Sequence, residues 1–224
     1  MKIKHFVILI SVLLIAASVI YYQRSKTMPS PSPVSTDKSV IIPAPESVVP
    51  ASNLVQQVDF QPPLDQAGER VTKKPFGILI NPKTSPVQPE KFSGYHTGTD
   101  FEIFSGEESV DVTVKTVCSG KLAMKKYATG YGGVAVQSCM LNEEPITVIY
   151  GHLRLASVAA NVGDNLAIGE SLGVLGKGYS TETSGERKHL HLGMHKGEGI
   201  NILGYLPKEA QLGDWIDACK YVCQ

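Results

Sequence analysis

The chain has no excess of charge of either sign, because 21 basic and 21 acidic residues leave a formal net charge of zero. Nucleic-acid binders usually gather Lys and Arg into a basic face or stripe, so this balance gives no support for a nucleic-acid partner. Also absent is any His-Glu-x-x-His sequence, the helical pattern that joins two metal-binding histidines to a glutamate base. No repeat of domain size is present, and no cysteine directly follows the N-terminal apolar run, where lipid attachment at a mature terminus would need one. Proline, frequent early in the chain, almost disappears after Pro89.

Lys2 and Lys4 precede an unbroken apolar run from Phe6 to Tyr22, and Gln23, Arg24, Ser25 and Lys26 follow it. The run sits at the low end of the roughly 17–25 residues that span a bilayer. It is longer than the apolar core of a signal peptide, typically about 7–15 residues. Small residues at Ala16-Ala17-Ser18 fall inside the run and not after it. The expectation is therefore an uncleaved membrane anchor over 1–26, with a cleaved signal segment as the alternative. Basic residues on both sides give only a weak orientation. Pro29, Pro31, Pro33, Pro43, Pro45 and Pro50 then favour an extended, solvated spacer. We assign 27–65 to this Pro/Ser-rich linker and 66–224 to the folded domain.

Within the domain the texture is that of short strands. Val110 to Val117 alternates with the period of a half-buried strand. Gly120–Lys126 and Gly133–Cys139 flank a Gly-Tyr-Gly-Gly turn, and Phe76–Ile80, Ile146–Tyr150, Ser171–Leu175 and His189–His195 are further candidates. Their close spacing predicts an all-β fold built on antiparallel sheet and excludes βαβ units. Trp215, Ala218, Cys219 and Val222 are spaced as the apolar stripe of a short C-terminal helix. Glycines at 163, 169, 173 and 176 suit tight turns and close backbone approach. The four cysteines allow three pairings. Cys118 and Cys139 stand symmetrically about Ala128–Tyr131 and could face each other across a hairpin, while Cys219 and Cys223 are one helical turn apart. Bridged and free cysteines both remain open.

Four histidines fall in three compact motifs. In Gly94-Tyr-His-Thr-Gly-Thr-Asp-Phe-Glu-Ile103, His96 and Asp100 bracket Gly98. An imidazole nitrogen and a carboxylate oxygen are both normal zinc ligands, and the glycine lets the chain fold so that both meet one ion. The second motif, Tyr150-Gly-His152-Leu, ends an apolar strand. The third is His189-Leu-His191, within Lys188-His-Leu-His-Leu-Gly-Met-His195. Alternation points His189 and His191 to one face, about 6.6 Å apart along the strand. That separation suits one ligand and one neighbour aimed at the same space, with Leu190 and Leu192 facing the core.

Taken together, His-x-Gly-x-Asp, Tyr-Gly-His-Leu, the Gly-spaced segment and His-Leu-His resemble the lysostaphin/LytM-type peptidases, the M23 metallopeptidases, over roughly Gly94 to Gly197. The resemblance implies one zinc ion per domain on His96, Asp100 and His191, with His152 and His189 as catalytic histidines. It also implies an endopeptidase acting on peptidoglycan stem peptides, cross-links or bridges. With the N-terminal segment read as an anchor in the cytoplasmic membrane, the protein is expected to be exported, its domain in the periplasm or cell wall. A catalytically silent regulator of other wall hydrolases is the alternative. Two features depart from the pattern. Ser184-Gly-Glu-Arg-Lys188 stands where many relatives carry Ser-Thr-Gly-Pro, and His195 is an additional histidine on the face of His189 and His191. A biotinyl-carrier reading, from Ala123-Met-Lys-Lys126, leaves the histidines unexplained.

Overall fold

A computed structural model describes residues 60–224. The expected membrane segment and most of the expected linker lie outside the described residues. Among the described residues no helix is long and apolar enough to cross a membrane.

The strands are β1 (Leu79–Ile80), β2 (Gly94–His96), β3 (Gly98–Glu102), β4 (Thr113–Lys115), β5 (Gly120–Ala128), β6 (Gly132–Leu141), β7 (Glu144–Gly151), β8 (Asn165–Leu166), β9 (Ser171–Val174), β10 (His189–Lys196), β11 (Tyr205–Leu206) and β12 (Trp215–Ile216). The main sheet runs β12-β10-β7-β6-β5-β8, and β3 also pairs with β10. Two small sheets, β1-β2-β11 and β4-β9, complete an all-β fold in which every pairing among the described residues is antiparallel. The helices are short: α1 (Ala67–Arg70) and α2 (Cys219–Val222), with a few 3-10 turns.

Strand β10 shows how the alternation builds this sheet. Leu190, Leu192 and Met194 are fully buried in the apolar core with Phe101, Val148 and Tyr150. Full burial of side chains of this size stabilises by about 1.5–3 kcal/mol each. Residues 189 and 191 take the opposite face by the period of two. One edge of β10 is shared, with Asp100 opposite His191 and Trp215 opposite His195. Along its other edge β7 sets Gly151 opposite His191. The β5–β6 hairpin closes on Ala128 opposite Gly132, with positive φ at Gly130 (87°) and Gly132 (70°), a conformation that side chains disfavour.

Both cysteine pairs are bridged, Cys118–Cys139 with Cα atoms 6.2 Å apart and Cys219–Cys223 with Cα atoms 4.7 Å apart. The first ties the two arms of the hairpin near its open end. Lys125 and Lys126 lie within β5, not at a hairpin tip, and Lys125 Nζ donates to the carbonyls of Val158 and Ala160. That placement removes the carrier reading.

Two expectations need correction. Phe60 and Leu64, placed by composition in the linker that ends at 65, are buried in the main core, so the folded region includes 60–65. Proline density marks where regular structure stops, but it does not sense a flanking apolar side chain that finds a pocket. The C-terminal helix is also shorter than its stripe. Only Cys219–Val222 is helical, and Trp215 lies on β12, where pairing with β10 overrides the helical spacing.

Candidate functional site

His96 ends β2 and Asp100 sits in the middle of β3, so residues four apart belong to different sheets. Only Thr97 lies between the two strands. A Cβ at Gly98 would lie 2.6 Å from Cε1 and Nε2 of His191 and 2.7 Å from the Leu192 carbonyl oxygen. The glycine therefore leaves the space that the His191 ring occupies. Gly98→Ala is expected to cost about 1–3 kcal/mol through overpacking. It should also weaken metal binding by displacing His191, checked by thermal unfolding with and without zinc. An unchanged metal affinity would show that the ring does not depend on this space.

The sequence-predicted ligands converge. His96 Nε2 lies 3.0 Å from His191 Nδ1 and 3.3 Å from Asp100 Oδ1, and His191 Nδ1 lies 3.2 Å from the same oxygen. All three residues are buried. Four-coordinate zinc with bonds of about 2.0–2.1 Å needs its donors about 3.3 Å apart, so this triangle fits the ion. Proton accounting agrees. His96 Nδ1 faces the Pro75 carbonyl at 3.3 Å, and a carbonyl can only accept. A neutral His96 that donates there presents a bare Nε2 to the centre of the triangle. His191 Nε2 faces the Tyr131 hydroxyl at 3.2 Å, which can accept from a protonated Nε2 and so is compatible with a bare Nδ1. Two lone pairs and a carboxylate oxygen at such distances could hold a cation between them.

Electrostatics keep the donors in that state. Burial alone would raise the Asp100 carboxyl, but the neighbouring His189 ring, through its charge and its hydrogen bond, holds it well below the usual carboxylate range. Burial pushes His191 down to about 4, against the pull of Asp100, so its ring is neutral near pH 7. Burial and the Asp100 charge raise the Tyr131 phenol, which keeps its proton.

The two expected catalytic histidines lie beside the triangle without joining it. Their ring centroids are 4.3 Å apart. His189 Nδ1 is 2.9 Å from the Arg187 carbonyl, and its Nε2 is 3.3 Å from Asp100 Oδ2. Each ring nitrogen therefore faces an acceptor. His152 takes a left-handed backbone conformation (φ 64°), with its carbonyl accepting from the Gly176 amide at 2.8 Å. Its Nδ1 is buried with no protein partner among the described residues. Burial, then the neighbouring His189, pushes its pKa well below the ordinary imidazole value. The rings line a cleft of about 250 Å³ that also includes Tyr131, Arg187 and Tyr205. His195 does not line it and packs edge-on against Trp215, with ring centroids 4.8 Å apart.

Sequence reasoning treated Tyr131 as part of a turn and Arg187 as part of a charged loop, yet both touch the donor residues. Gly151 was the available clue to Tyr131, because a Cβ there would lie 2.4 Å from its ring. Thus the Gly before His152 makes room for the phenol that orients His191. Arg187 had no local signal, since its partners Asp100 and Glu102 are more than 80 residues away.

Residues 94–202 match the family described as Peptidase family M23. No curated protein sequence matches the chain. Among solved structures the chain is similar to LytU, at 22% identity over 68% of this chain and 83% of that one, with a TM-score of 0.46. It is also similar to the catalytic domain of the antimicrobial peptidase lysostaphin from Staphylococcus simulans, at 18% identity over 66% and 86% of the two chains (TM-score 0.41). For Csd3 of Helicobacter pylori the identity is 22%, over 66% of this chain and 35% of that one (TM-score 0.40). The match across 94–202, just under half of the chain, contains the five histidines and the aspartate that build the site and its surroundings, and this region resembles peptidase family M23.

Proposed function

We propose that this chain is an exported, zinc-dependent endopeptidase that hydrolyses peptide bonds in peptidoglycan stem peptides, cross-links or bridges. The observation that carries the reading is the triangle of His96, Asp100 and His191 donor atoms, 3.0–3.3 Å apart, beside two further histidines in one cleft. These three residues would hold one zinc ion, leaving a coordination position for water or substrate as catalytic zinc sites do. Bound there, zinc supplies a Lewis acid for the scissile carbonyl and acidifies water.

The remaining chemistry falls to the chain's own side chains. No glutamate base of the His-Glu-x-x-His kind exists, so proton transfer is assigned to the histidine pair. His152 is held neutral by burial and is the proton acceptor. His189, flanked by two acceptors, holds a proton at Nε2 beside Asp100, where it can stabilise developing negative charge or protonate the leaving amine. Tyr131 fixes the His191 ring through its hydroxyl.

Export is supported by the N-terminal apolar run and by two disulfides, which persist in oxidising compartments. In this reading residues 1–26 anchor the chain in the cytoplasmic membrane, and the catalytic domain works in the periplasm or cell wall. Purified protein should carry close to one zinc ion and release peptides from purified peptidoglycan. A chelator should abolish the release and added zinc restore it. Zinc binding without any peptide release would instead favour a silent regulator of other hydrolases.

A further inference from the structure

The charged turn before β10 places Arg187 where a guanidinium is hard to accommodate. Its side chain is only 8% exposed, beside an Asp100 side chain that is 2% exposed. Nη2 donates to Asp100 Oδ2 at 2.9 Å and also to Glu102, while Nε donates to both Glu102 oxygens at 3.0 and 2.9 Å. Asp100 and Glu102 are two residues apart on β3 and so share a face. Their partners across the ladder are His191 and His189, and Arg187 reaches back from just before that pair to bridge both carboxylates.

The consequence is a division of labour between the two oxygens of Asp100. Oδ1 faces His96 Nε2 and His191 Nδ1, whereas Oδ2 faces Arg187 Nη2 and His189 Nε2. A carboxylate free to rotate could offer both oxygens to an ion, or neither. The planar guanidinium has the fork geometry to prevent that rotation, which a lysine ammonium lacks. An unpaired cation here would oppose a metal ion. Glu102 cancels that charge, and exposed Lys73 lies 3.4 Å from its other side.

We infer that Arg187, neutralised by Glu102, is a positioning residue for the metal site: it holds Asp100 Oδ2 so that Oδ1 alone completes the triangle with His96 and His191. The inference rests on the zinc reading above. Removing Arg187 alone would strand the buried Glu102 charge and could unfold the domain. The informative variant is therefore the double substitution Arg187→Met with Glu102→Gln, which removes both charges and keeps the volume. Two quantities are measured on the full chain, the zinc-free Tm and the zinc Kd by competition with a chromophoric chelator. The expected result is a zinc-free Tm close to that of the wild type, with zinc affinity lower by about 10–100-fold. Arg187→Lys, with Glu102 intact, should recover only part of the affinity. A double variant that binds zinc as the wild type does would overturn the inference while leaving the proposed function intact. So would parallel losses of zinc-free Tm and affinity, which would assign Arg187 to the fold alone. A wild-type chain that binds no zinc would overturn both.

Discussion

Alanine in place of His152 is expected to lower kcat on defined peptidoglycan fragments by about 10²–10⁴-fold, the usual contribution of a general acid or base. Zinc content and zinc affinity should stay at the wild-type level. His152 lies outside the donor triangle formed by His96, Asp100 and His191. Its ring sits 4.3 Å from that of His189, its Nδ1 has no protein partner among the described residues, and burial favours its uncharged form. A ring in that state can take a proton but contributes little to holding the ion. The loss should fall on kcat more than on KM, because proton transfer is made only on the way to the transition state. Metal analysis of the same preparation separates the outcomes. Unchanged turnover would exclude His152 from the chemistry, whereas lost zinc would make it a ligand.

How far the site could be read from sequence followed the distance over which its parts communicate. The spacing of His96, Gly98 and Asp100 was legible because all three lie within one short segment, whereas the space that Gly98 leaves for the distant His191 ring was not. The alternation of His189, Leu190, His191 and Leu192 was legible because a strand's period of two needs only neighbours to show itself. The partners of those residues were not. Tyr131 reaches His191 across 60 residues and Arg187 reaches Asp100 across 87, and neither contact leaves a pattern in its own segment. Sheet order was hidden for the same reason. β10 is flanked by β7 along one edge and by β3 and β12 along the other, a choice made by register and burial in three dimensions. Trp215 illustrates the cost of purely local reading. Its spacing from Ala218 and Val222 is helical, but pairing opposite His195 takes it into a strand.

Zinc is expected to be a large part of the domain's stability, and the triangle gives that expectation a sharp test. At a free zinc concentration about 1,000 times Kd, binding to the folded state alone adds about 4 kcal/mol. For a domain of about 150–250 residues each kcal/mol moves Tm by about 2–4 °C, so zinc should raise the wild-type Tm by about 8–16 °C. Asp100→Asn should remove nearly all of this shift. The amide keeps the shape of the side chain but takes away the charge that offsets the ion, and its NH₂ could turn toward His96 and His191. His96→Ala should remove the shift by a different route, deleting one corner of the triangle while leaving Asp100 on Arg187. Peptide release should vanish in both. The two variants differ in the zinc-free state: Asp100→Asn leaves Arg187 facing a neutral partner inside the fold, so its zinc-free Tm should drop further than that of a wild-type chain stripped of metal. Measuring Tm with and without zinc for all three proteins decides the matter. A zinc-induced rise that survived in both variants would place the ion somewhere other than His96, Asp100 and His191, and the proposed chemistry would have to move with it.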